Sequence, residues 1–183
     1  KKGDSAGALK AYEASAAVNA DDVELLYNLA MKYGEANRRD DEVQTYRKAL
    51  LAQPSFGKAR CNLGAALAET GDLDGALAEF LEAVRHDPTS PTPWQNLAVL
   101  YHKQGVSTVQ GLQQCKSKEA AVDISRVASR ALGEAHNAWR KVMELVDDPR
   151  TKAETVSRLA QVLNLRGRAA AIADPAEALQ YFL

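Results

Sequence analysis

The sequence predicts an all-α fold in which antiparallel helix pairs repeat along the chain as an α-solenoid. Three asparagines, Asn28, Asn62 and Asn96, recur at a spacing of 34 residues, and each is followed by leucine and a small residue. A fixed period of this length is typical of stacked helical units rather than of one globular core. The composition supports this prediction, because it is rich in good helix formers and only 6% aromatic.

The clearest repeat covers residues 57–88 and predicts two helices joined by a short turn. Apolar and small residues mark one face of the first helix, namely Leu63, Gly64 and Leu67. A similar face marks the second helix, namely Ala76, Phe80 and Ala83. Small residues let two helices approach closely, and the larger ones fill the space around the crossing. Gly71 and Pro88 end the two helices, so the unit is predicted to be an αα-hairpin.

These residues resemble the tetratricopeptide-repeat (TPR) family, whose pattern is Leu-Gly, then Gly-Asp, then alanine, an aromatic residue, alanine and proline. Residues 21–54 follow the same pattern at Leu29, Tyr33, Tyr46, Ala49 and Pro54. They depart from it at Glu42, where a small residue is expected, and at Asn37, where glycine is expected. Residues 89–105 match it again at Trp94, Leu97, Tyr101 and Gly105. The resemblance implies a right-handed superhelix of antiparallel helix pairs, in which the first helices line a concave groove.

The regular, TPR-like part is predicted to cover residues 1–105. It is divided into a half repeat at 1–20, repeats at 21–54 and 55–88, and a first helix at 89–105. After Gly105 the period fails, so residues 106–116 are expected to form an inserted loop or a short irregular helix. The half repeat lacks a partner helix, and we therefore expect the chain to be cut from a longer array or to belong to a larger complex.

The remaining residues, 117–183, are predicted to form divergent TPR-like helices at 117–147, 151–166 and 175–183. The first of these is overlong, and spacings of three and four predict its inward face as Ala120, Ile124, Val127, Ala131, Ala135, Ala138, Val142 and Leu145. Two interpretations of its extra turns remain open. They cover the preceding loop, or they project and dock on another subunit. In the helix at 151–166, Leu159, Ala160 and Leu163 are expected to face inward. Gly167 is expected to close it, and an enlarged turn is expected at 169–174.

Several function classes are not expected from this sequence. The three histidines, His86, His102 and His136, have no metal-ligand spacing, and no nucleophile or phosphate-binding motif occurs. The net charge is −1, so the sequence has no overall excess of positive charge of the kind that binds nucleic acid. No apolar stretch is long enough to span a membrane. We therefore expect no enzyme activity, no cofactor, no catalytic or metal site, no nucleic-acid partner, no membrane insertion and a cytoplasmic location.

The recurring asparagines are the most distinctive candidate for binding. In the groove implied by the resemblance they form a ladder whose amides can donate to and accept from a peptide backbone, as in the TPR arrays of O-linked sugar transferases. The other interpretation is that the asparagines bond to neighbouring turns and stabilise the array. The candidate partner-binding residues are Asn28, Asn62, Asn96, Tyr27, Lys58, Gln95, Met31 and His102.

The resemblance implies a protein–protein interaction scaffold that binds a peptide or helix of a partner in its groove. Two alternatives remain: a substrate-recruiting TPR segment of a larger enzyme such as an O-linked glycosyltransferase, and an architectural subunit of a multi-protein assembly. Some members of the family bind the C-terminal carboxylates of chaperones with a clamp of lysine, asparagine and arginine. We do not expect that clamp, because Tyr27 and Thr92 occupy two of its basic positions.

Overall fold

The computed structural model describes residues 5–112 and 117–173, and within these ranges the chain is helical, with short connections. The described helices are α1 (Ser5–Val18), α2 (Val23–Glu35), α3 (Arg39–Ala52), α4 (Gly57–Thr70), α5 (Leu73–His86), α6 (Pro91–Leu112), α7 (Lys118–Leu145) and α8 (Pro149–Ala173). They form two compact units, an N-terminal unit through Pro88 and a C-terminal unit from Thr89. The all-α class predicted from the sequence is confirmed, and each unit is described by itself.

The N-terminal unit is built from two helix pairs, in which α2 packs on α3 and α4 packs on α5. Helix α3 also contacts α4, and α1 contacts α2, so each pair lies against its neighbour in the chain. Most helical residues that matched the repeat pattern are buried, namely Leu29, Tyr46, Ala49, Leu63, Gly64, Leu67, Ala76, Phe80 and Ala83, whereas Tyr33 is half-buried. The sequence period therefore identified the buried face of each pair.

The turn within each pair needs one residue in the left-handed backbone region. Gly71 occupies it between α4 and α5 with φ 91°, and Asn37 occupies the equivalent position between α2 and α3 with φ 58°. Asparagine tolerates this region better than other residues that carry a side chain. The departure from glycine at Asn37 therefore leaves the turn intact. Aspartates cap two of these helices at their N-termini: Asp22 accepts from the Leu25 amide at the start of α2, and Asp72 accepts from the Gly75 amide at the start of α5.

The buried Glu42 is accommodated by a glycine on the facing helix. Its carboxylate lies against Gly34, where an added Cβ would be only 2.7 Å from Glu42 Oε1. One period later the same two positions hold Ala68 and Ala76. The glycine and glutamate of this repeat thus take the places of the two alanines in the next repeat. Arg39 donates to the Glu42 carboxylate at 2.6 Å, which gives the buried charge a partner.

Restoring the alanine pair of the next repeat should stabilise the N-terminal unit. We expect Gly34→Ala/Glu42→Ala to raise the free energy of unfolding by about 1 kcal/mol, because glycine weakens a helix interior and a buried charge is costly to desolvate. Urea denaturation of the variant and the wild type measures the difference. Gly34→Ala alone is the control and should gain less, since its new methyl meets the carboxylate. A double variant less stable than this control would contradict the interpretation that Gly34 and Glu42 together replace the two alanines of the next repeat.

The C-terminal unit consists of α6, α7 and α8, with α7 packed against both of the others. Here the sequence prediction of a first helix ending at 105 and a loop from 106 is wrong, because α6 continues to Leu112. Residues 113–116, including Cys115, lie outside the described residues. Helix α7 begins after Ser117, whose hydroxyl accepts from the Ala120 amide at 3.1 Å. The period fails after Gly105 because α6 is longer than a repeat helix and is not followed there by a loop.

Gly105 is therefore not a turn residue but a close-contact point between α6 and α7. It is buried, and an added Cβ would lie 2.5 Å from Cδ2 of Leu132, whose side chain is fully buried. The predicted inward face of α7 is wrong in its first half, because Ala120 is exposed and Val127 is 60% exposed. The residues buried there are Ser125, Ala128 and Leu132. The spacing of apolar residues placed Val127 on the buried face, but the polar Ser125 is buried instead.

Helix α8 is also longer than expected, since it runs through Gly167 to Ala173 instead of ending at Arg166. Gly167 is buried within the helix, and the turn expected from Ala169 is absent as far as Ala173, the last described residue. The Ser125 hydroxyl donates to the Ala169 carbonyl in a buried contact, which anchors this extension on α7. Ala160, predicted to face inward, is exposed. The helix predicted at 175–183 lies outside the described residues.

Candidate functional site

An open cavity of about 330 Å³ lies in the N-terminal unit along the first helices α2 and α4. Helix α3 contributes to its wall, so three consecutive helices surround it. Its principal side chains are Met31 and Glu35 of α2, Arg39 and Tyr46 of α3, and Asn62 and Glu69 of α4. The cavity therefore combines an apolar side chain, an amide and several charges on the face where the resemblance places the groove.

Asn62 is held in this cavity by two tyrosines of the preceding helix pair. Its Nδ2 donates to Tyr46 Oη at 3.1 Å and to Tyr27 Oη at 3.3 Å. The Tyr27 ring packs against Phe56, with ring centroids 5.3 Å apart, and against Tyr46 at 6.0 Å. Burial raises the pKa of Tyr46 to about 12, so its hydroxyl stays neutral at physiological pH. These contacts fix the amide of Asn62 in one orientation.

Five predicted binding residues belong to the N-terminal unit, and the structure brings only some of them together. Tyr27 and Asn62 are hydrogen-bonded, and Met31 lines the same cavity as Asn62 with 38% of its surface exposed. Asn28 is half-buried on α2 and Lys58 is exposed at the start of α4. Neither Asn28 nor Lys58 is among the residues that line the cavity.

The other three predicted residues, Gln95, Asn96 and His102, lie on α6 in the C-terminal unit. Gln95 and Asn96 are half-buried there. His102 lines a second open cavity, of about 490 Å³, together with polar side chains of α8, namely Ser157, Gln161 and Asn164. Burial lowers the pKa of His102, and the nearby charge of Arg158 lowers it further. His102 is therefore mostly neutral at pH 7 and offers one donor and one acceptor to this cavity.

The histidines of this unit predict a loss of stability in mild acid. Burial, followed by the charges of Arg166 and Arg140, lowers the pKa of His136 below its ordinary value of 6.5. The unfolded chain therefore binds protons more readily than the folded one, and protonation favours unfolding. We expect the free energy of unfolding to fall between about pH 7 and about pH 5. Denaturation curves of His136→Gln should show a flatter profile, and an identical profile would contradict the prediction.

Cys61 is the free cysteine within the described residues, and it is buried. Burial raises the pKa of the Cys61 thiol to about 11, which keeps it protonated and unreactive at neutral pH. No set of three or more His, Cys, Asp or Glu side chains within residues 5–112 and 117–173 is placed to hold a metal ion. Across those same ranges, no helix has the length and apolar character required to cross a bilayer.

Comparison with known proteins identifies the repeats. The TPR-repeat family profile matches residues 66–105. A protein of Arabidopsis thaliana, the TPR repeat-containing thioredoxin TTL4, is 33% identical over 111 residues, which are 56% of this chain and 16% of that protein. The chain contains TPR repeats. It matches only 16% of the length of this curated relative.

Solved structures share the TPR fold at low sequence identity. A crystal structure of MamA has a TM-score of 0.69 at 17% identity and covers 99% of this TPR chain and 90% of MamA. MamA 41-end from Desulfovibrio magneticus RS-1 gives 0.65 at 17% identity, with 99% and 87% covered. The first TPR of Spaghetti (RPAP3), bound to the HSP90 peptide SRMEEVD, gives 0.56 at 16% identity, with 78% and 93% covered. These similarities establish the fold and not a shared ligand.

The cavity along α2 and α4 contains residues that the sequence did not single out. Tyr46 matches the aromatic position of the second helix and was not among the predicted binding residues, yet its hydroxyl accepts a hydrogen bond from Asn62. Glu35 and Glu69 are also separated by 34 residues, a repetition in the sequence that could have identified them as candidates. Arg39 carries no periodic signal, because its role depends on the unusual glutamate at position 42.

Proposed function

We propose that this chain is a protein-interaction scaffold that binds a segment of a partner protein in the groove of its TPR repeats. The observation that carries the proposal is the open cavity between α2 and α4, where the exposed Met31 and the held amide of Asn62 lie together. An apolar side chain beside fixed polar groups is the usual composition of a binding groove. The scaffold acts by binding and performs no chemistry of its own.

The predicted residues take different parts in this proposal. Asn62 keeps two tyrosine hydroxyls in place, which favours a structural role for this asparagine over direct contact with a peptide backbone. Met31 and Ala65 offer the contact surface of the cavity. We propose that Asn28 and Lys58 contact the partner beside this cavity. In the C-terminal unit, taken by itself, we propose a separate partner contact by side chains of α6, namely Gln95, Asn96 and His102.

Filling the cavity should abolish binding without unfolding the protein. Ala65 is exposed and lines the cavity, so Ala65→Phe places a bulky neutral side chain in the path of the partner. Ala78→Phe is the matched control, because Ala78 is also exposed on a helix but lies on α5. Immobilised wild type and both variants are incubated with an extract of the source cells, and bound proteins are identified by mass spectrometry.

We expect proteins that the wild type and Ala78→Phe retain to be lost from Ala65→Phe, with affinity at least about tenfold lower, as for a central contact of an interface. Circular dichroism should show equal helicity for all three proteins. If Ala65→Phe retains the same proteins as strongly as Ala78→Phe, the partner does not occupy this groove.

A second candidate function is recruitment for an enzyme in the same polypeptide. It is favoured by the relative that combines TPR repeats with a thioredoxin in its name, of which this chain matches only 16%. In this case the groove binds the substrate protein of a catalytic domain elsewhere in the chain. Groove binding is common to both candidates, and the sequence of the complete gene product distinguishes them.

A further inference from the structure

We infer that the cavity between α2 and α4 receives a lysine or arginine side chain of the partner, an inference that rests on the proposed groove function. Three carboxylates line this cavity, those of Glu35, Glu42 and Glu69. They belong to three consecutive helices, so the fold and not a local run of acidic residues brings them together. The partner segment is therefore basic where it crosses these helices.

The ion pairs at the cavity leave negative charge in excess. Lys32 Nζ lies 2.8 Å from each carboxylate oxygen of Glu35, which balances that pair. A single guanidinium, that of Arg39, lies 2.6 Å from Glu42 and 2.5 Å from Glu69. One cation thus contacts two carboxylates, and a further positive charge from a partner would complete the balance.

The ends of the first helices add to this negative potential. Helix α2 ends at Glu35 and α4 ends at Thr70, and the last turn of each helix lines the cavity through Glu35 and Glu69. The final carbonyl groups of a helix carry partial negative charge and favour a cation within the last turn. This contribution comes from the backbone and is independent of the side-chain carboxylates. The first turn of α3, from Arg39 to Glu42, also lines the cavity and carries partial charge of the opposite sign, so two C-terminal turns are set against one N-terminal turn.

The cavity is open to such a ligand. The side chains of Glu35 and Glu69 are 49% and 57% exposed. The aliphatic stem of a lysine or arginine can pack on Met31 and Ala65 while its charged end reaches the carboxylates. At the next period Lys103 replaces the glutamate, so the acidic position is specific to α2 and α4. A peptide with acidic residues, such as SRMEEVD, should be repelled.

The test uses the whole 183-residue chain and three dye-labelled synthetic peptides measured by fluorescence anisotropy. All three peptides share one length and a Ser/Ala background, and they differ only in carrying Lys, Gln or Glu at every third position. The Lys peptide should bind most tightly, and its affinity should fall as salt is added. Glu35→Gln and Glu69→Gln should each weaken it by about two- to fivefold, as expected for partly exposed ion pairs.

Glu82→Gln is the charge-matched control, since Glu82 lies on α5 and pairs with Arg85 there. It should leave the affinity for the Lys peptide unchanged. Equal or tighter binding of the Gln or Glu peptide, an equal loss in Glu82→Gln, or no binding of any peptide would overturn the inference. If the Gln peptide binds as tightly as the Lys peptide and Ala65→Phe abolishes this binding, only the basic preference is overturned. Peptide binding that survives Ala65→Phe would instead count against the groove itself.

Discussion

Replacing Phe80 with alanine should lower the free energy of unfolding by about 3–5 kcal/mol, the usual cost of emptying an aromatic core position. Phe80 is 3% exposed, and its ring lies against Gly64 of the facing helix, where an added Cβ would be 2.6 Å from ring atom Cε1. The ring therefore fills the closest crossing between α4 and α5. Thermal and urea denaturation measure the effect.

Two further variants make this prediction specific. Leu81→Ala changes the adjacent residue, which is 48% exposed, and should cost about 1 kcal/mol at most. Gly64→Ala alone should destabilise by about 1–3 kcal/mol, because its methyl meets the ring. In the Phe80→Ala background the same methyl has space and a better helix former, so its cost should disappear. Additive effects of the two substitutions would show that the helices do not cross at this contact.

Replacing Leu132 with alanine should destabilise the C-terminal unit by about 2–5 kcal/mol. Leu132 is fully buried over Gly105, which has no side chain that could turn into the space left by the substitution. The cost of a cavity is greatest where the surroundings cannot collapse. Chemical denaturation followed by circular dichroism measures the loss.

The control for Leu132 is Val127→Ala, which tests two assignments of the same helix against each other. The apolar period predicts Val127 on the buried face of α7, whereas in the structure it is 60% exposed. We expect this variant to change the free energy of unfolding by no more than about 0.5 kcal/mol. A large loss in Val127→Ala and a small one in Leu132→Ala would restore the face predicted from the sequence.

The sequence predicted the helix pairs of the N-terminal unit well because their packing depends on local pattern. Small and large residues at a fixed period determine which faces meet, and Gly64 beside Phe80 is an example. The turn at Asn37 kept its geometry because asparagine shares with glycine the ability to adopt a positive φ. Such features depend on few neighbours and can be recognised from one repeat.

The C-terminal unit was harder to predict because its helices exceed the repeat length. Gly105 and Gly167 look like helix ends in the sequence, but both are buried inside helices. The sequence alone does not distinguish a glycine that ends a helix from one that permits a close contact. Ser125 was overlooked for a related reason, since its partner is a backbone carbonyl on α8, forty-four residues away.

The sequence predicted where the candidate site lies but not which side chains contact one another there. The period placed Asn62 and Met31 on one surface, and the structure agrees for these two residues. Asn62 contacts Tyr27 and Tyr46 on other helices, and Arg39 contacts Glu69 on another helix and Glu42 on its own. The period does not predict these side-chain contacts. They depend on where side-chain ends meet in three dimensions.

The bonds that cross from one helix pair to the next bear on how the N-terminal unit unfolds. In repeat proteins each unit has its own stability and a coupling to its neighbour, and weak coupling allows terminal units to fray one at a time. Here the guanidinium of Arg39 ties α3 to Glu69 of the following pair, and Asn62 ties that pair back to Tyr27 and Tyr46. Opening either pair breaks these bonds for both. The two pairs should therefore exchange their most protected amide hydrogens in a single cooperative event.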